Sequence, residues 1–514
     1  MQSPELDSRK CPNLEIPEFA DERASRTRRV AQAGGGLAIL LLLLHAGSTL
    51  LATPCLGVAD ILDFWRVMLP AGIEHVSPLE HPGYYVRCEF RTFEAALSTA
   101  PSSSAFLAWA AKQLPWRPQS AEGRMDLRQV GLLYLLLVIA IVATALARGA
   151  GTVFVGGLLW VFVDPGYLLF LNSFYADAAM LVAILGIVLW FRKEGRPGKG
   201  LARTSSIDFA VAIAGIVLLA LLGGGSKMQF AALPIVLALS IFGLPAAFSR
   251  AAARRAIAVA LLLTLVGCLT LWNFFLGAGP RFPEHNNYHA VFGGILRVTS
   301  HPEKVLGELG VPRQHFDLPR TDSWTAGVGL DHPVHQSLRG LSRLTLLRQY
   351  LVDPAAMGAT LAEISRTLAL VPSHPRGTRV RDVEDRRPVK RTHEVPWQFS
   401  RISRAALGLW PPITWLVLVG AAAWLGARSF AGDRGPASAA VLFLLLWITS
   451  QCAIAVLGEG LVNLHQHLVG ARFGFDLLLV FLVADLVRVA FGARGRRPKA
   501  IPPGPLPSAE RGKA

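Results

Sequence analysis

Residues 131–147 read GLLYLLLVIAIVATALA and residues 256–275 read AIAVALLLTLVGCLTLWNFF, and neither contains a charged side chain. Both fall in the range of about 17–25 apolar residues that an α-helix needs to cross a bilayer. Working outward, similar runs lie near 34–52, 128–147, 151–163, 167–191, 207–223, 228–247, 254–276, 406–427, 437–457 and 470–491. The composition agrees: 52% of the 514 residues are hydrophobic and only 17% are charged, below the roughly 25% of a soluble chain. The mean hydropathy is +0.42. A soluble globular enzyme is excluded, and so is a transmembrane barrel, whose strands are short and alternating. The expected fold is an all-α integral membrane protein of ten spans.

The net charge of +16 does not indicate a nucleic-acid partner, because the Lys and Arg residues lie between the apolar runs. There they set topology and meet lipid headgroups. Arg26, Arg28 and Arg29 precede the first run; Arg192, Lys193, Arg196, Lys199 and Arg203 share one short loop; Arg250, Arg254 and Arg255 share another. Arg428 and Arg434 mark a third, and Arg494, Arg496, Arg497 and Lys499 follow the last run. With ten spans all of these fall on one side, which the positive-inside rule makes cytoplasmic. The expected organisation is a cytoplasmic tail at 1–33 and a membrane core at 34–276, which includes a first exoplasmic loop at 53–127. A large exoplasmic loop at 277–403, C-terminal helices at 404–491 and a cytoplasmic tail at 492–514 complete it. No convincing signal-peptide cleavage site follows the first run, so it reads as an uncleaved helix.

Local details refine this plan. Asp164-Pro165-Gly166 interrupts the apolar sequence, and an acid beside helix breakers at that depth points to a broken helix lining a cavity. Within the large loop, 341–350 and 355–370 carry Leu and Ile at helical spacing and are expected on the membrane surface. The 373–395 stretch is rich in Pro and Arg and reads as an irregular insert. Cys55 and Cys88 share one outer segment, where a disulfide is compatible with an oxidising compartment though spacing alone does not establish it.

Four polar clusters gather near the outer ends of the spans. Asp60, Asp63 and Arg66 follow the first helix. A carboxylate in a partly dry cleft suits proton abstraction from a hydroxyl, and an interfacial cap is the alternative reading. Asn172, Tyr175 and Asp177 lie beside an apolar run, where an acid is a functional candidate or the packing partner of a loop Arg. Gly223-Gly224-Gly225-Ser226-Lys227-Met228-Gln229 opens another run. Glycines, helix-end N–H groups and Lys227 together suit an anion, and a snorkelling lysine is the alternative. Glu459, Asn463, His465, His467 and Arg472 form the fourth cluster. His465 and His467 are two apart and point to different sides of a helix, so hydrogen bonding to sugar or phosphate, or a structural polar cluster, fits better than zinc.

Taken in order, these strings resemble the WsfD-type hexose transferases of bacterial surface-glycan biosynthesis, which are similar in architecture to GT-C glycosyltransferases. Asp60-x-x-Asp63-Phe64-x-Arg66 is continued by Met68 and Pro70-Ala71-Gly72. Asn172-Ser173-Phe174-Tyr175 is followed by Ala176-Asp177, where the family has Gly-Glu. Ser226-Lys227-x-Gln229 fits, as do Tyr288, His289, Val291, Phe292, Gly294, Ile295 and Leu296, then Pro302-Glu303-Lys304 and Glu308-Leu309-Gly310. The string from Gly458 to Leu468 departs most, lacking two acids and a lysine of the family pattern, and the resemblance omits 373–395.

The resemblance implies a hexose moved from a polyprenyl-phosphate donor to a glycan or lipid-linked acceptor, with inversion, on the outer face of a bacterial cytoplasmic membrane. It implies no nucleotide sugar. Asp63 or Asp60 would be the base. Lys227, Gln229, Arg66 and Arg472 would meet the donor phosphate. Asn172, Tyr175, Asp177, Tyr288, His289, Glu459 and His467 would meet sugar. No cofactor is required, though a divalent cation between carboxylates is compatible with this set. A lipid-linked glycan polymerase or ligase, or a flippase-type transporter, is the alternative. The transporter would show internal repeats and mid-bilayer charges, which this sequence does not display.

Overall fold

The computed structural model describes residues 18–53, 55–60, 63–77, 86–94, 102–114, 123–191, 206–242, 250–277, 410–430 and 436–495. It also describes 281–371 apart from Trp324 and Leu330, and Ala405, Leu407 and Gly408. At its centre is the Asp177–Phe191 helix, in which every side chain except that of Trp190 is buried. Apolar residues on all sides are what a helix enclosed by others requires. The helices Arg128–Ala147, Ser206–Gly224, Pro436–Glu459 and Val469–Gly495 pack around it. The long Glu18–Leu50 helix packs outside them against Thr152–Phe162, where the Thr152 hydroxyl donates to the Gln32 carbonyl at 3.2 Å.

Five helices among the described residues are long and apolar enough to cross a membrane: Arg29–Leu50, Arg128–Ala147, Arg254–Phe274, Ile413–Phe430 and Ala437–Glu459. A sixth arises if Thr152–Phe162 and Pro165–Leu171 form one span bent by 66°. This bend lies where Asp164-Pro165-Gly166 predicts a break, and the Asp164 side chain accepts the Gly166 N–H at 2.9 Å. The count of ten is not reproduced by length and composition. The 167–191 run is not one helix: it is interrupted between Leu171 and Asp177, leaving a 15-residue helix of about 22 Å, short of the bilayer core. Likewise the 228–247 run begins as a 3₁₀ turn at Met228–Phe230, and its α-helix covers Leu233–Phe242. The Val469–Gly495 helix carries Arg472, Asp476 and Asp485.

The fold is mostly helical, as expected, with one small sheet that the sequence reading did not include. Three short strands, β1 (Ile73–His75), β2 (Glu89–Thr92) and β3 (Arg124–Asp126), form an antiparallel sheet in the first loop, ordered β1-β2-β3. Ile73 pairs with Thr92 and Phe90 with Met125. Cys55 and Cys88 are disulfide-bonded, tying the chain after the first helix to the segment leading into β2. In the second loop the expected helices are present as Arg343–Val352 and Pro354–Leu370. Ser342 caps the first by accepting the Thr345 N–H at 3.0 Å, and Asp353 caps the second by accepting the Ala356 N–H at 3.0 Å. The 373–395 insert lies outside the described residues.

One buried ion pair joins distant parts of this assembly. The Arg472 guanidinium donates to both Asp476 oxygens, at 3.0 and 3.1 Å, and to the Leu368 carbonyl. The Tyr167 hydroxyl donates to Asp476 at 2.7 Å. Neither charged side chain has any solvent exposure. Asp476→Ala strands a buried guanidinium, a loss of about 3–5 kcal/mol for a broken buried pair. Thermal unfolding of the purified protein in detergent is expected to show a large drop in Tm, and an unchanged Tm would contradict the pair's structural role.

Candidate functional site

The first polar cluster is built around Asp60. One of its oxygens accepts the N–H groups of Asp63 and Phe64, at 2.9 and 3.1 Å, closing the turn that leads into the short Trp65–Met68 helix. The other lies 2.9 Å from Nε2 of His75 on β1. Both Asp60 oxygens are therefore engaged, and the residue is buried. Asp63 is held differently: its side chain is 29% exposed, with the Arg66 guanidinium 3.6 Å away. Of the two acids, Asp63 is the one presented to solvent.

The broken segment between Leu171 and Asp177 meets this turn. Phe64 packs edge-on against Phe174 and Tyr175 at 5.5 and 4.9 Å, and the Tyr175 hydroxyl donates to the Ala59 carbonyl at 3.1 Å. Asn172 is fully buried. Its amide donates to the Leu50 and Leu56 carbonyls at 2.7 and 2.8 Å, so it fastens the segment to the end of the first helix and does not line the cleft.

Lys227 arrives from the other side. The Ser103 N–H donates to the Gly225 carbonyl at 2.9 Å, and the Ser103 hydroxyl to the Leu222 carbonyl at 2.6 Å. The C-terminal end of the Ser206–Gly224 helix is thus pinned to the Ser103–Lys112 helix. Lys227 follows in an extended conformation before the three-residue 3₁₀ turn. The expectation of a helix N-terminus at this point is corrected, because the next α-helix starts at Leu233. The positive charge available here is that of Lys227 itself.

These elements enclose a small cleft lined by Asp63, Phe170, Tyr175, Asp177, Lys227, Gln466 and Val469. Four residues singled out from sequence meet there, and Phe170, Gln466 and Val469 were not anticipated. Gln466 lies inside a string already singled out, between His465 and His467, but nothing in residue type distinguished it. The cleft offers two carboxylates, an ammonium group, a phenol and an amide. Among the described residues, one Asp177 oxygen is buried without a hydrogen-bond partner. Among the described residues no group of three or more His, Cys, Asp or Glu side chains is placed to hold a metal ion.

The other expected contacts fall elsewhere. Gln229 is occupied: its Nε2 donates to the His467 carbonyl at 2.6 Å, and its Oε1 lies 3.1 Å from His467 Nδ1. His467 Nε2 lies 2.9 Å from a Glu459 oxygen. Glu459, His467 and Gln229 thus form a chain that fixes the Leu464–His467 turn carrying Gln466. Arg472 is corrected as a phosphate ligand, since Asp476 and the Leu368 carbonyl take its donors in a fully buried setting. Tyr288 stacks on Phe292 with centroids 4.7 Å apart. His289 Nε2 accepts the Ser323 N–H at 3.2 Å. Neither Tyr288 nor His289 lines the cleft.

The model of one family, described as the YfdI N-terminal transmembrane domain, matches residues 23–500, and the chain belongs to that family. It is accordingly a membrane protein. No curated protein and no solved structure matches the chain.

The buried histidine of the second loop is expected to make stability depend on pH. Burial pushes the His289 ring down to about 4, and the neighbouring His285 adds repulsion in the same direction. An unfolded histidine titrates near 6.5. The unfolded chain therefore binds a proton between about pH 6.5 and 4 that the folded chain refuses. Stability is undiminished above pH 6.5 and falls as the pH drops through this window, by at most about 1.4 kcal/mol per pH unit for this residue. Tm measured from pH 7 to 4 is expected to decline less steeply in His289→Gln, and an identical slope would contradict the assignment.

Proposed function

We propose that the chain is a membrane glycosyltransferase that moves a hexose from a polyprenyl-phosphate donor to a surface-glycan acceptor on the outer face of the cytoplasmic membrane, with inversion. The observation that carries this reading is the meeting of Asp63 and Lys227 in one cleft with Tyr175 and Asp177. A partly exposed carboxylate and a lysine lining one small cavity are the pair that such a transfer needs. Membership of a transmembrane-domain family and the ordered strings that resemble the WsfD-type transferases also support it.

In this mechanism the acceptor oxygen attacks the anomeric carbon while the bond from that carbon to the phosphate oxygen breaks. Asp63 takes the hydroxyl proton as the new glycosidic bond forms. The departing lipid phosphate gains negative charge, which Lys227 and Arg66 stabilise. Asp60 acts through Asp63: it holds the turn by two backbone N–H groups and is itself oriented by His75. Tyr175, Asp177 and Gln466 orient the sugar hydroxyls, and the chain from Glu459 through His467 to Gln229 keeps Gln466 in place.

The test uses purified protein and a panel of polyprenyl-phosphate hexoses, with membrane glycolipid extract as acceptor, and measures released polyprenyl phosphate. Release that requires acceptor is expected in the wild type. Asp63→Asn is expected to reduce it by at least a hundredfold, within the range of general-base contributions, at unchanged membrane abundance and Tm. Full activity in Asp63→Asn would remove this residue as the base, and no release from any donor would overturn the reading.

A further inference from the structure

The hydrogen bonds that run from Glu459 through His467 to Gln229 fix where the protons of the central ring lie. Lys227 and Gln466 line the cleft from two different turns, and Gln229 fastens one turn to the other. Its Nε2 lies 2.6 Å from the His467 carbonyl and 3.3 Å from Oε1 of the fully buried Gln451. Neither oxygen carries a proton, so the atom facing them is the amide nitrogen. Gln451 in turn donates to the Gln229 carbonyl at 3.4 Å. The Gln229 side-chain oxygen is therefore the atom that faces His467 Nδ1, at 3.1 Å. An amide oxygen only accepts, so Nδ1 carries a proton. On the other side of the ring, Nε2 lies 2.9 Å from a Glu459 oxygen.

A neutral imidazole has one N–H and one lone pair. With its N–H on Gln229, the lone pair would point at the carboxylate, placing two acceptors in contact. Both contacts are hydrogen bonds only if the pair of His467 and Glu459 holds one more proton. Lys227 and Arg343 lie within the field of Glu459 and stabilise its carboxylate, which leaves that proton on the ring. The His467 side chain is only 11% exposed, so the charge-assisted contact is sheltered from water. The Pro354–Leu370, Pro436–Glu459 and Val469–Gly495 helices pack against the Leu464–His467 turn. On them Glu363 is paired with Arg366, Arg472 with Asp476 and Asp485 with Arg428, and Cys452 is a buried thiol. Glu459 is the acid directed at the ring, and Asp177 lies within the field of both His467 and Lys227.

We propose that His467 is held as an imidazolium and is a positioning residue of the cleft, tying the Lys227 turn to the Gln466 turn only while both ring nitrogens are protonated. Once the second proton is lost, the ring can serve Gln229 or Glu459 but not both, and one link opens. The cleft is therefore assembled on the acid side of this titration and loosens on the alkaline side. The consequence for transfer rests on the reading of the cleft given above; the state of the ring rests on its hydrogen bonds alone.

Two measurements on the full chain test this. The first is kcat/KM for release of polyprenyl phosphate from about pH 6 to 9, a range that spans ordinary histidine titration. The wild type is expected to lose activity toward alkaline pH, about tenfold per pH unit beyond the midpoint. Glu459→Gln removes the carboxylate that retains the proton, and is expected to move this fall to lower pH by about one unit or more. His467→Gln is expected to be slower throughout and to lack the fall. A merely structural role would lower the rates and leave the shape of the profile unchanged. The second measurement reads the ring without catalysis, by magic-angle-spinning nitrogen-15 NMR of histidine-labelled protein in lipid at about pH 7. The His467 signals are identified by their loss in His467→Gln, and two protonated ring nitrogens are expected. An unprotonated ring nitrogen overturns the proposal, as does an alkaline fall that is absent from the wild type or unmoved by both variants. If His467→Gln does not fold, Glu459→Gln decides the matter by its shifted profile and by the change it makes in the ring signals. If the wild type transfers from no donor, the reading of the cleft falls, and the spectrum still decides the state of His467.

Discussion

The amide of Asn172, donating to the carbonyls of Leu50 and Leu56, is the interaction on which the arrangement of the cleft depends. A chain that leaves the helical conformation in an apolar surrounding exposes backbone groups that must find partners. Asn172 supplies two at once, for the carbonyl at the end of the first helix and for one in the segment after it. With that bolt in place the broken segment turns back, Tyr175 meets the Ala59 carbonyl, and Asp177 starts the enclosed central helix. Asp63 and Asp177 come to line one cavity although they belong to different parts of the chain. The buried pair of Arg472 and Asp476 secures the opposite flank, where Tyr167 and the Leu368 carbonyl converge on it.

Much of this was legible where local chemistry decides the outcome. Proline lacks an N–H and glycine tolerates sharp turns, so Asp164-Pro165-Gly166 announces the 66° bend. The helices of the second loop are announced by their periodicity, and in the structure Ser342 and Asp353 cap them. Other features were hidden because their causes are distant in sequence. Asn172-Ser173-Phe174-Tyr175 contains no helix breaker, and only its tertiary partners interrupt the 167–191 run. Hydropathy records apolar length without distinguishing a lipid-facing helix from one buried on all sides, such as Asp177–Phe191. The strands are three or four residues long, too short to show alternation.

The site residues divide along the same line. Lys227, Asp63, Tyr175 and Asp177, which come from three separate strings, line one cleft. Arg472 was misplaced although its partner was in view: Asp476 is four residues on, the spacing of a helical ion pair. Gln229 and Asn172 are polar residues whose hydrogen bonds are spent on the protein itself, which residue type alone does not reveal. Asp60 and Asp63 are alike in sequence. They become distinct through His75, fifteen residues away on a strand that the sequence did not announce.

The central claim is that the cleft holds a sugar phosphate with its phosphate toward Lys227 and its anomeric carbon toward Asp63. The most direct measurement is an electron cryomicroscopy structure of the protein with a non-transferable polyprenyl-phosphate hexose analogue. The account predicts density for the phosphate within hydrogen-bonding distance of the Lys227 ammonium, and the sugar ring between Tyr175, Asp177 and Asp63. A phosphate seated away from Lys227, with the cleft empty, would contradict it.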